Sequence, residues 1–106
     1  MKKVFNLQAI YSPRKSFYGK AKVVSLDEHT HALYSYGGPV AAVKDNQVIL
    51  LSDWCCSTTT SRHVHEFLAQ FAFGFDAFTA NTIWNSIKFF RGDYVTFRSW
   101  GFDRTY

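Results

Sequence analysis

The 106-residue chain carries 12 Lys and Arg against 8 Asp and Glu, and its aromatic content is high (11 Phe, 6 Tyr, 3 Trp). That length is one domain, residues 1–106, and a chain of this mass buries roughly 11,000–12,000 Å² on folding, enough to absorb most of the rings. No apolar run is long enough to span a bilayer, the two leading lysines are followed by no apolar signal segment, and two adjacent cysteines are not a disulfide framework, so a cytoplasmic, reducing setting is expected.

The charge is uneven. Residues 1–26 hold Lys2, Lys3, Arg14, Lys15, Lys20 and Lys22 and no acid, whereas the remainder holds six basic and eight acidic residues. Such asymmetry points to an acidic partner, with a solvated basic surface as the plainer alternative.

Val4 to Ile10 alternates as a first strand. Residues 11–19 then form a loop punctuated by Ser12-Pro13 and Gly19. Arg14, Lys15, Phe17 and Tyr18, with Lys20 and Lys22 beyond them, mix cations and rings as a single-stranded nucleic acid would require. A loop clamped by its own aromatics has the same composition. Lys20 to Leu26 and His31 to Tyr36 read as strands around an Asp27–Thr30 turn, and Gly37-Gly38-Pro39 breaks the second. Val40 to Lys44 and Gln47 to Ser52 flank Asp45-Asn46, the pattern of a tight hairpin.

Ser52 to Phe71 reads as a strand end, a hydroxyl-rich corner and an amphipathic helix. Val64, Phe67, Leu68 and Phe71 fall on one helix face, extended by Thr60 and Phe75, while Arg62, Glu66 and Ala69 fall opposite, toward water. Ser57, Thr58 and Thr59 are candidate N-caps, and the same hydroxyls beside Arg62 would also suit an anion; plain capping is the preferred reading. A second helix is expected over about 80–88, with Ala80, Ile83, Trp84 and Ile87 on one face. Residues 94–100 alternate as a last strand, Val95 and Phe97 facing inward and Tyr94, Arg98 and Trp100 outward as a candidate partner surface.

Catalytic constellations are weak. Cys55 or Cys56 with His63 or His65 suggests a thiol–imidazole pair, but histidines two apart on a helix diverge by about 200°, and no nucleophile signature surrounds the thiols. The same four residues lack zinc-ligand spacing, and His29 and His31, which would share a strand face, have no evident partners. Phosphate-cradle motifs are absent. No catalytic residue, metal or cofactor is expected.

One stretch resembles a known family. Tyr34-Ser35-Tyr36-Gly37-Gly38-Pro39-Val40-Ala41, then Trp54, then Ser57-x-Thr59-Thr60-Ser61-Arg62-His63-Val64-x-Glu66-Phe67-Leu68 is similar to a family of small phage and bacterial domains of unknown function, over about residues 3–72. The family pattern has Asp-Tyr where this chain has Cys55-Cys56. The resemblance implies a small viral protein of the host cytoplasm and supplies no active site.

The expected architecture is α+β: an antiparallel β-meander of four to six strands with two α-helices packed on one face. The expected function is a non-catalytic phage accessory protein that binds a host or viral macromolecule, with a protein partner or self-association favoured and no membrane. The alternatives are a nucleic-acid-binding module using the basic first quarter and a small cysteine-dependent enzyme.

Overall fold

The computed structural model describes residues 2–10, 19–45, 47–51, 58–72, 92 and 94–102. Five strands form one antiparallel sheet in chain order: β1 (Lys3–Asn6), β2 (Ala21–Asp27), β3 (Thr30–Ser35), β4 (Gly38–Lys44) and β5 (Gln47–Leu50). Two residues join β2 to β3, β3 to β4 and β4 to β5, so these strands pair with their neighbours in sequence; β1 pairs with β2 across the longer connection 7–20. Lys44 pairs with Gln47, leaving two residues for the β4–β5 turn, and Asp45 takes φ 47°, as a tight hairpin requires.

Pro39 does not break the chain as expected; it lies inside β4. Leu33 pairs with Ala41 and Tyr34 with Pro39, so Val40 is an extra residue in a bulge. A bulge is one of the few places where a sheet tolerates proline, because the ladder is already interrupted there. Val40 keeps its carbonyl occupied by accepting from the Leu51 N–H at 2.9 Å.

The strand pleat sorts side chains onto two faces. Val23, Leu33, Ala41 and Leu50 lie in register on one, and Val24, Ala32, Ala42 and Ile49 on the other. Both rows are buried. The first face is covered by α1 (Thr58–Phe71), through Val64, Phe67 and Leu68. The second is covered by α2 (Tyr94–Ser99) and Phe102, with Phe97 and Phe102 stacked 5.1 Å apart and Phe97 edge-on to Tyr34. A sheet buried on both faces needs a layer on each side. The α+β class is therefore present, but the two described helices serve opposite faces. The second helix expected over 80–88 lies outside the described residues.

The segment expected as a last strand is helix α2, and its facing changes accordingly. Val95, expected inward, is 78% exposed; Phe97 is buried. Tyr94 and Trp100 pack against the second core cluster, and of the expected partner surface Arg98 alone is exposed. Gly92 delivers the chain to this helix. Its N–H donates to the Leu50 carbonyl at 2.9 Å, and a Cβ there would lie 2.5 Å from Ile49 Cβ, so only glycine permits the approach.

The outer side of α1 also differs from expectation. Arg62 is exposed, but Glu66 and Ala69 are buried. The chain leaving β1 contributes to this: Leu7 and Ala9 join the α1 core cluster, and the Gln70 side-chain amide donates to the Gln8 carbonyl at 2.7 Å and to Glu66 Oε2 at 2.8 Å. A helix covered on more than one side cannot be read from a single apolar stripe.

Candidate functional site

Polar side chains gather at both ends of the sheet face under α1. His31, Leu33 and Ser35 alternate on β3, so all three point toward the helix, the leucine into the apolar middle and the other two at its ends.

At one end, Thr60 and His63 face the sheet from the first turns of α1, one helical turn before Val64 and Phe67. Ser35 Oγ lies 2.9 Å from His63 Nδ1 and 3.3 Å from Thr60 Oγ1. All three residues are buried, His63 to 1% exposure. A serine against an imidazole is the arrangement that activates a nucleophile, but catalysis needs the oxygen presented to a substrate. Here the pair joins helix to sheet. Ser35→Ala is expected to cost about 1–3 kcal/mol, because His63 Nδ1 stays buried and loses the serine oxygen. Urea titration measures this; an unchanged midpoint would show that the pair does not hold α1 in place.

At the other end, His31 is clamped from two sides. Its Nε2 lies 3.1 Å from the Glu28 carbonyl, which can only accept, so Nε2 carries the proton. Nδ1 is then the acceptor for Ser25 Oγ at 2.6 Å. The Phe71 ring sits 4.8 Å away. This corner is concave: a depression of about 240 Å³ is lined by Glu28, His29, His31, Val43, Asp45 and Phe71. A second, of about 500 Å³, adjoins it through Glu28 and His31 and is flanked by Lys3 and Phe5. Among the described residues no three His, Cys, Asp or Glu side chains are grouped to hold a metal. His29 sits in the turn and not on the strand with His31.

Two titrations are shifted here. Burial pushes the His31 pKa below its ordinary value, against the raising effects of the Glu28 carbonyl and Asp27. Asp27 is held below the usual carboxylate range, first by the His29 N–H, which donates to Oδ1 at 2.8 Å, and then by Thr30. The fold thus favours neutral His31. Its contribution to stability is complete above the unfolded value of 6.5 and declines as pH falls through the folded value. Lowering the pH from about 7.5 to about 5, above the Asp27 range, should lower Tm more in the wild type than in His31→Gln. Parallel Tm profiles would remove His31 as the cause.

Among the other residues singled out in the sequence, Lys20 is exposed with its Nζ over the Tyr36 ring, and Lys22 is half-buried on β2 opposite Tyr34. Arg14, Lys15, Phe17, Tyr18, Cys55 and Cys56 lie outside the described residues. Sequence reasoning missed the Ser35–His63 pair, whose members are 28 positions apart. The available signals were strand parity with Leu33 and the placement of His63 four residues before Phe67.

The chain belongs to a family of unknown function, DUF8033, whose family model matches residues 5–85. No curated protein and no solved structure shows a significant match.

Proposed function

We propose, from the sequence resemblance and from the surface of the sheet, that the protein is a non-catalytic phage accessory protein that binds a protein partner along β1. The observation that carries this reading is the exposure of all four β1 residues, including Val4 at 48% and Phe5 at 40%. β1 is an edge strand of the sheet. An edge strand offers backbone donors and acceptors to another extended chain, and soluble proteins normally blunt such edges. Here Lys2 and Lys3 supply charge, yet Val4, Phe5 and Ile10 remain as apolar anchors. Of the two described serine–imidazole pairs, Ser35–His63 is enclosed between helix and sheet, and Ser25–His31 borders the concave corner with its Nε2 held by the Glu28 carbonyl. The phage setting is supported by the sequence resemblance alone. Among the described residues no helix is long and apolar enough to cross a membrane.

The test is affinity capture from host lysate, with and without nuclease, using the wild type and a Val4→Glu, Phe5→Glu double variant whose Tm is measured alongside. A captured protein that persists through nuclease and is lost with the folded variant supports docking at β1. Retention by the variant would place the interface elsewhere, and capture that vanishes with nuclease would reject a protein partner.

A further inference from the structure

A second surface lies at the tip of the β3–β4 hairpin, where Tyr36 is 60% exposed. The turn holds two residues, Tyr36 with φ 55° and Gly37 with φ 85°. Two successive left-handed residues make the turn that suits a twisted hairpin, and the residue favoured at its first position is Asn, Asp or Gly. A tyrosine there is a poor choice for the backbone, because a bulky side chain resists positive φ. Such an outlier is a reason to ask what the side chain does.

The ring is held in place. The Tyr36 N–H donates to the Lys20 carbonyl at 2.8 Å, tying the hairpin tip to the start of β2. Beneath it lies the His63 ring, 6.0 Å away between centroids and itself fixed by Ser35. Lys20 Nζ lies 5.9 Å from the tyrosine centroid, within cation–π range. A cation therefore accompanies an exposed, preorganised aromatic surface. The first 26 residues add five more cations and no acid.

We infer that Tyr36 and Lys20 form a contact site for single-stranded nucleic acid, in which Lys20 swings from its place over the ring to a flanking phosphate and an unpaired base stacks on the tyrosine face it leaves. Stacking on aromatics with cations beside them is how such strands are held without sequence preference. A duplex fits poorly, since its bases are already stacked on one another. The plain alternative is that Tyr36 only covers His63.

Fluorescence anisotropy with a labelled oligothymidylate separates the two. Tyr36→Asn removes the ring while supplying a residue the turn prefers, so the protein stays folded with Tm equal or higher. Binding should weaken roughly 5- to 100-fold, and Tyr36→Phe should bind as the wild type does. Lys20→Glu leaves the turn intact and should also weaken binding, with a log–log salt slope shallower by roughly 0.7 for a lost phosphate contact. The inference is overturned if the wild type does not bind the oligonucleotide at low salt, if Tyr36→Asn or Lys20→Glu binds as tightly as wild type, or if a duplex binds equally well without regard to Tyr36. A lower Tm in Tyr36→Asn with binding retained would establish the covering role instead. None of these outcomes depends on β1, so the protein-partner reading stands or falls separately.

Discussion

Phe67→Ala is expected to destabilise the protein by about 3–5 kcal/mol. The ring is fully buried between α1 and the sheet, in the cluster that contains Leu33, Val43 and Leu50, and lies 5.2 Å from the Phe71 ring. Truncation removes the transfer free energy of the ring and leaves a cavity. Val23, Leu33 and Ala41 belong to paired strands and can close around it only partly. A loss of that size is a large share of the 5–15 kcal/mol that holds a typical domain together. Arg62→Ala, at the exposed position of the same helix, should change stability by less than about 0.5 kcal/mol. Urea titrations of the two variants provide the comparison. Equal losses would mean that α1 presents a different face to the sheet.

Phe97→Ala is expected to be comparably damaging, about 3–5 kcal/mol, because this ring is central to the second core. It is fully buried, with Tyr94, Phe102 and Tyr34 around it at centroid distances of 5.6, 5.1 and 6.0 Å. Val95→Asp sharpens the test. In a strand, Val95 and Phe97 would point the same way, and both changes would be severe. In helix α2 they diverge, Val95 is exposed, and the aspartate should be tolerated within about 0.5 kcal/mol. A large loss in Val95→Asp would contradict the helix; a small loss in Phe97→Ala would show that the second face is not closed by this ring.

The strands β1 to β5 and the helix α1 were legible because their signals are local. The turn signals at 27–30, 37–39 and 45–46 divide the apolar segments, the middle one two residues late because β4 already begins at Gly38, and Val64, Phe67, Leu68 and Phe71 recur at helical spacing. The layer on the second face also left a trace that a one-sided reading passed over. Val23-Val24, Ala32-Leu33-Tyr34 and Val40 to Val43 are continuous apolar runs, the mark of strands buried on both sides. Helices packed on one face alone would have called for stricter alternation.

The sequence by itself determined the meander order, the inward stripe of α1 and the basic first quarter, since each rests on neighbouring residues and on turn chemistry. Tertiary structure decided the rest. Residues 94–99 are β-branched and aromatic enough to alternate as a strand, and six residues are too few for periodicity to arbitrate; the second core takes Phe97 and leaves Val95 in water. Glu66 is buried because more than the sheet packs against α1, and an amphipathic pattern records only the strongest apolar neighbour. The site residues depend on the same long-range placement: Ser35 meets His63 across 28 positions, and Tyr36 meets Lys20 because β2 and β3 align there. Contacts between distant segments are fixed by how layers pack, and no local propensity encodes them.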